Sequence, residues 1–108
     1  MANTFKNFPV ANVGTSATTI YTAPSLTTST IIGMTVANLT ASNVTASVTL
    51  VSGGTTVFLV KNATVPVGGA LVPVGGDQKV VLEPADYIQV QCSVATGLDV
   101  IISALEIS

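Results

Sequence analysis

The chain has no histidine, no arginine and no tryptophan, and it has a single cysteine. Each absence removes a class of chemistry. Without histidine, the many serines and threonines have no ordinary general base, and no G-x-S-x-G or Ser–Lys spacing takes its place. With no histidine and one cysteine, zinc has no ligand set. Cys92 cannot close an internal disulfide, and it sits at an apolar-phase position of its strand. With no histidine or arginine to lower its pKa, it reads as a buried free thiol. The three lysines, Lys6, Lys61 and Lys79, are scattered and the net charge is −2. That leaves no basic patch for phosphates and excludes nucleic acid as a partner. No apolar run approaches the roughly 20 residues of a membrane span. The opening MANTFKNFPVANVG lacks a continuous apolar stretch, because Phe8-Pro9 interrupts it, so it does not read as a signal peptide. Synthesis in a cytoplasm is the expectation, in keeping with the lack of a stapling disulfide.

Charge is also scarce. Only 7% of residues are charged, against roughly 25% in an ordinary soluble domain. What is present instead is aliphatic, at 48% apolar residues, set among Thr, Ser and Asn. A chain of 108 residues forms one domain with a real core. It is too apolar to be disordered and too small to hide all its apolar surface internally. Part of that surface is expected to lie against a partner, which favours a subunit of an oligomer or larger assembly.

Residues 1–14 show no clean period, and Pro9 rules out a helix through them. They read as an extended N-terminal arm ahead of a domain spanning 15–108. Phe5, Phe8 and Val10 are its apolar anchors and the candidate partner-binding residues. Strands are expected at 17–22, 31–37, 44–51 and 55–60. On the second, Ile32, Met34 and Val36 would share one face, and Gly33 would mark a bulge or a close approach. The third has the clearest period of two, with Val44, Ala46, Val48 and Leu50 against Thr45, Ser47 and Thr49. Ser52-Gly53-Gly54 reverses the chain after it. Residues 70–93 read as a meander. In it Leu71–Val74, Lys79–Leu82 and Tyr87–Cys92 are separated by turns at Gly75-Gly76-Asp77 and at Glu83-Pro84-Ala85-Asp86. VPVGG occurs twice, at 65–69 and 72–76, too few copies for a solenoid. The apolar stretch 98–107 reads as a central strand, its Ile and Val content favouring strand over helix. The fold class is all-β: a single eight-stranded β-sandwich, immunoglobulin-like or jelly-roll-like.

No set of residues converges on a reaction. Glu83 and Asp86 flank Pro84 in one turn, where capping and turn formation explain them better than acid–base work across a cleft. A calcium site would need Asp77, Glu83, Asp86 and Asp99 to meet through their loops. The Gly-Gly pairs lack the Lys-Ser/Thr of a phosphate-binding loop. Tyr21 and Tyr87 are the only aromatic candidates for stacking a sugar, and each fits an ordinary strand position. The expectation is a protein that is not an enzyme and has no cofactor, no metal and no catalytic residue.

The segments TTIYTAP (18–24), IIGMTVANLTASNVTASVTL (31–50), FLVKNATVPVGGALVPVGGDQKVVLEPADYIQVQCS (58–93) and DVIISALEIS (99–108) resemble small virion structural proteins of tailed bacteriophages. In such proteins a strand ends in a Leu-x-Pro-Gly-Asp-like turn, and here Ala85 stands where glycine is commoner. The resemblance implies a β-sandwich subunit of the particle, foremost a capsid decoration (cement) protein stabilising the head. The alternatives are a tail, neck or baseplate subunit, or a glycan-binding module. It further implies a homo-oligomer, a trimer in the first instance, partnered by the major capsid protein or other virion proteins. The expected location is the virion after synthesis in the host cytoplasm, and no membrane partner is expected from a chain without a long apolar run.

Overall fold

A computed structural model describes residues 3–75 and 79–108 of the chain. Nine strands run through these residues: β1 (Asn3–Val13), β2 (Thr18–Thr22), β3 (Thr28–Asn38), β4 (Val44–Ser52), β5 (Thr55–Val65), β6 (Ala70–Val74), β7 (Val80–Leu82), β8 (Tyr87–Cys92) and β9 (Leu98–Ile107). No helix occurs among the described residues. Two antiparallel sheets form. The first has the order β1-β9-β3-β6, with β7 also on β3, and the second has the order β2-β8-β4-β5. β6 and β7 pair with different segments of β3, Met34–Ala37 and Ser29–Ile31, so they share one edge position. The sandwich therefore has four strand positions in each layer.

The pairings are nested. β4 pairs with β5, β3 with β6 and β7, β2 with β8, and β1 with β9. The chain is in effect one long hairpin, and its successive pairs fall alternately in the two sheets. This winding is the jelly roll, which decides between the two sandwich topologies left open by the sequence. At the hairpin's tip Ser52 pairs with Thr55, and Gly53 and Gly54 have φ of 57° and 83°. A two-residue type I′ turn requires positive φ at both positions, which glycine adopts without a Cβ clash.

Three expectations change. Residues 3–13 are extended but do not form a separate arm. They pair with β9 from Asn3↔Ile107 to Val10↔Val100 and are the edge strand of the first sheet. Pro9 is tolerated there because an edge strand needs only one side of its backbone for pairing. Second, the faces of β3 are exchanged at their start. A bulge between Ile31 and Gly33 inserts one residue, so Ile31 points inward with Met34 and Val36, all at most 2% exposed. Third, β5 continues past residue 60 to Val65. It does so through register shifts beside Val48, with Asn62 at φ 51°. The turn expected at Gly75-Gly76-Asp77 falls largely outside the described residues. The turn at Glu83–Asp86 is present, closed by Asp86 N–H donating to the Glu83 carbonyl at 3.0 Å. Ala85 has φ 73°, the left-handed value that the third residue of a type II turn takes after a proline.

The core lies between the sheets. Ile31, Met34, Val36, Leu98, Val100, Ile102 and Leu82 face Val44, Ala46, Val48, Ile88, Val90 and Cys92 across it. Cys92 is a buried free thiol.

Candidate functional site

Strand alternation decides what β1 presents. Successive side chains point to opposite faces, so Phe5 cannot share a face with Phe8 and Val10. Phe5 is 73% exposed on the outside of the first sheet. Phe8 and Val10 turn inward and pack against the core, with the Phe8 ring centroid 4.2 Å from that of Tyr21 at an interplanar angle of 35°. The three candidate partner-binding residues therefore divide: Phe5 is exposed, while Phe8 and Val10 are partly buried and Val10 borders the depression at Pro9 and Ile101.

The outward neighbours of Phe5 mix apolar side chains with Thr, Asn and Ser. The strand register aligns Phe5, Leu105, Thr30 and Val81 in one row across β1, β9, β3 and β7. A second row places Asn7, Ser103 and Gly33 side by side, and a third places Pro9, Ile101 and Thr35. Val81, Val72 and Ile101 on this sheet are 56%, 60% and 40% exposed. Sequence reasoning missed these residues as a group, because they come from five strands and only the register assembles them. Two depressions interrupt the face. One is lined by Pro9, Ala11, Thr35, Ala37 and Ile101 among others. The other lies beside Phe5 and is lined by Asn7, Ile32 and Ser103.

The outside of the second sheet is different. Its outward positions carry Thr45, Ser47, Thr49, Gln89 and Gln91, with Thr19 at the edge. Many of these polar groups bond to one another. Gln89 Nε2 donates to Thr19 Oγ1 at 3.1 Å, and Asn62 N–H donates to Ser47 Oγ at 3.0 Å. A shallow hollow of about 180 Å³ on this side is lined by Thr45, Ser47, Asn62, Gln91, Cys92 and Ser93. The first face exposes apolar side chains among Thr, Ser and Asn, and the second is mostly hydroxyl and amide, with the exposed Phe58 opposite Thr49 and Lys61 Nζ 5.2 Å from its ring centroid at the β5 edge.

A buried polar cluster ties the two sheets together. The Tyr21 hydroxyl on β2 donates to Glu106 Oε2 at 2.6 Å and lies 2.5 Å from Ser29 Oγ on β3. Glu106 Oε1 is 3.2 Å from Lys6 Nζ on β1. Tyr21, Ser29 and Glu106 are all buried. Burial, reinforced by the hydrogen bond to Glu106, pushes the Tyr21 hydroxyl up to about 12. The Tyr21 hydrogen bond holds the Glu106 carboxyl below its ordinary value, with Lys6 assisting and burial opposing. A charge this far from water persists only where its lone pairs are satisfied. Among the described residues no buried side-chain nitrogen or oxygen lacks a partner. The cluster links Tyr21 on β2 to Ser29 on β3, Glu106 on β9 and, through Glu106, Lys6 on β1. One sequence signal pointed to it. Glu106 falls in the inward phase of β9, in step with Leu98, Val100, Ile102 and Ala104.

The other chemical candidates stay apart. Asp86 is buried, and its Oδ2 accepts the Glu83 N–H at 3.0 Å, which is a turn-locking contact. Asp99 Oδ1 accepts the Asn12 N–H at 3.1 Å across the β1 bulge. Asp77 lies outside the described residues. No group of three or more His, Cys, Asp or Glu among the described residues is placed to hold a metal ion. The Tyr21 ring is in the core and cannot stack on a sugar, while Tyr87 is half-buried at the start of β8. No family model, curated protein or solved structure matches this chain.

Proposed function

We propose that the protein is a non-enzymatic structural subunit of a phage particle, foremost a capsid decoration protein, held in its assembly by the outer face of the first sheet. The observation that carries this reading is the contrast between the two outer faces. Phe5, Val72, Val81 and Ile101 leave large apolar areas exposed across one sheet, while the other presents mostly hydroxyls and amides to water, with Phe58 and Lys61 together at its β5 edge. An exposed apolar face of this kind marks a surface that is covered in use. Glu106 bonds Tyr21 in the buried cluster, Asp86 accepts the Glu83 N–H within its turn, and Asp99 accepts the Asn12 N–H at the β1 bulge. A jelly roll by itself hosts many functions, so the particle assignment rests on the resemblance of the segments at 18–24, 31–50, 58–93 and 99–108.

Quantitative mass spectrometry of purified particles tests the proposal. A stoichiometry that tracks the major capsid protein supports decoration. One that tracks a tail-ring, neck or baseplate component moves the subunit to the tail, and absence from particles overturns the reading. A glycan-binding module is the second reading. What favours it is the neutral hollow around Ser47, Asn62 and Gln91, not Tyr21. Binding on a glycan array that is lost in Gln91→Ala would support it.

A further inference from the structure

We propose that the hollow on the outer face of the second sheet is a subsite for one neutral sugar ring, held by Asn62, Gln91 and Thr45. The proposal rests on the glycan-binding reading of that hollow. It adds the size and charge of the ligand and the groups that hold it.

The backbone builds the hollow. β4 and β5 lose register on both sides of Val48, and β5 carries the extra residue each time. Bulges of this kind bend a strand and re-aim its side chains. Asn62 lies in the first of them at φ 51°, a left-handed value that asparagine tolerates better than most residues with a Cβ. Its N–H donates to Ser47 Oγ at 3.0 Å, and Ser47 Oγ donates to Asn62 Oδ1 at 3.3 Å. The two contacts hold the Asn62 side chain and leave its Nδ2 unused. Across the hollow, Gln91 Nε2 donates to the Thr15 carbonyl at 2.7 Å, which leaves Oε1 unused. The Thr45 N–H donates to Ser93 Oγ at 3.0 Å, and the Thr45 hydroxyl is unused. Among the described residues, Asn62 Nδ2, Gln91 Oε1 and Thr45 Oγ1 have no partner in the protein. The hollow therefore offers a donor, an acceptor and a hydroxyl that serves as either. Each sits on a residue the protein has already anchored, which lowers the cost of ordering it around a ligand.

Chemistry selects the ligand. The lining residues, Thr45, Ser47, Asn62, Gln91, Cys92 and Ser93, carry no charge. Lys61, next to Asn62 in sequence, has its Nζ 5.2 Å from the Phe58 ring centroid and does not line the hollow. A charged ligand would lose hydration there and gain no counter-ion. A sugar hydroxyl both donates and accepts, so neighbouring hydroxyls match a donor and an acceptor presented together. The buried Cys92 adds an apolar patch for the ring's carbon atoms. The volume, about 180 Å³, is below the roughly 300 Å³ at which pockets for larger ligands begin, so one ring fits and an oligosaccharide does not.

Proton–nitrogen correlation spectra of the full chain, titrated with glucose, galactose, mannose and N-acetylglucosamine, test the proposal, with glucuronate as the charged comparison. At least one neutral sugar should give saturable shifts at the Thr45, Asn62 and Gln91 amides. Three hydrogen bonds in an open hollow correspond to a Kd of roughly 1–10 mM. Asn62→Gly removes the amide and suits a positive φ, and Thr45→Val removes the hydroxyl and keeps the branched shape. Both should melt like the wild type and raise Kd by about 5-fold or more. No saturable shift with any of the four neutral sugars, equal binding of glucuronate, or a Kd unchanged in both variants overturns the proposal. Glycan-array binding separates it from the reading it rests on. Array binding that survives both variants keeps the glycan-binding module and refutes this subsite. A sugar bound in the hollow without any array binding supports the subsite and refutes the module.

Discussion

Replacing Tyr21 by phenylalanine tests whether the buried cluster holds the two sheets together. The substitution keeps the ring that packs 4.2 Å from Phe8 and removes only the hydroxyl. Glu106 then loses its 2.6 Å donor, and Ser29 loses its 2.5 Å partner. A hydrogen bond to a charged group contributes about 1.5–3 kcal/mol, and a buried acceptor left short of a donor adds to the loss. The Lys6 contact at 3.2 Å survives, so about 2 kcal/mol is the expected cost at neutral pH. For a domain of this size that lowers the melting temperature by roughly 8–15 °C.

The pH dependence identifies the cause. The Glu106 carboxyl is held below its ordinary value in the folded protein. Its contribution is therefore complete above the unfolded pKa of about 4.3 and is lost as pH falls through the folded value. The Tyr21 hydroxyl is raised from 10.0 to about 12. Its contribution is complete below 10 and is lost as pH rises toward 12. Urea denaturation of wild type and Tyr21→Phe at pH 7 and in acid should show a smaller gap in acid, as the Glu106 carboxyl protonates. A gap under about 0.5 kcal/mol at pH 7, or one that is the same at both pH values, refutes the argument.

Three further outcomes are expected. Ala85→Gly should raise stability by about 0.5–1 kcal/mol in thermal or urea unfolding, because a φ of 73° strains any residue with a Cβ. Deleting residues 1–10 should not yield a folded protein lacking an arm. It removes most of β1 and with it Phe8 and the Lys6 anchor of Glu106, so loss of cooperative unfolding by circular dichroism is expected. Cys92 should resist a thiol reagent in native buffer and react in denaturant, with a rate that rises with urea as global unfolding does.

The residues that were hard to read share a cause. β4 was legible because its alternation, Val44 to Leu50, is unbroken over most of its length and its turn is written as Gly-Gly. β3 has equally strong composition, yet one inserted residue at Ile32 reverses the phase before it. Gly33 did mark the bulge that lies between Ile31 and Gly33, but a glycine does not say on which side of it the extra residue falls, so a period-two reading exchanges the phases of Ile31 and Ile32. β1 was obscured by Pro9, which argues against a central strand but not against an edge. Phe5 and Phe8 look like a pair in sequence and are three residues apart, an odd separation that a strand turns into opposite faces. The buried cluster joins residues 6, 21, 29 and 106, and only the Glu106 phase hinted at it. The apolar face is the extreme case. Composition required such a surface, but its members come from strands whose order could not be known before the fold.

The nested hairpin also constrains how this domain is made. β8 lies between β2 and β4, and β9 lies between β1 and β3, so the central strand of each sheet is among the last to be synthesised. Until they emerge from the ribosome, β1 and β2 have no pairing partner in either sheet. Only β3 with β6 and β7, and β4 with β5, can pair from what is already made. The nascent chain therefore passes through a half-built state whose open edges are the ones destined for β8 and β9. The Gly53-Gly54 turn closes the shortest loop of the nest and the β1–β9 pairing closes the longest, so loop-closure entropy rises step by step from the middle of the sequence outward.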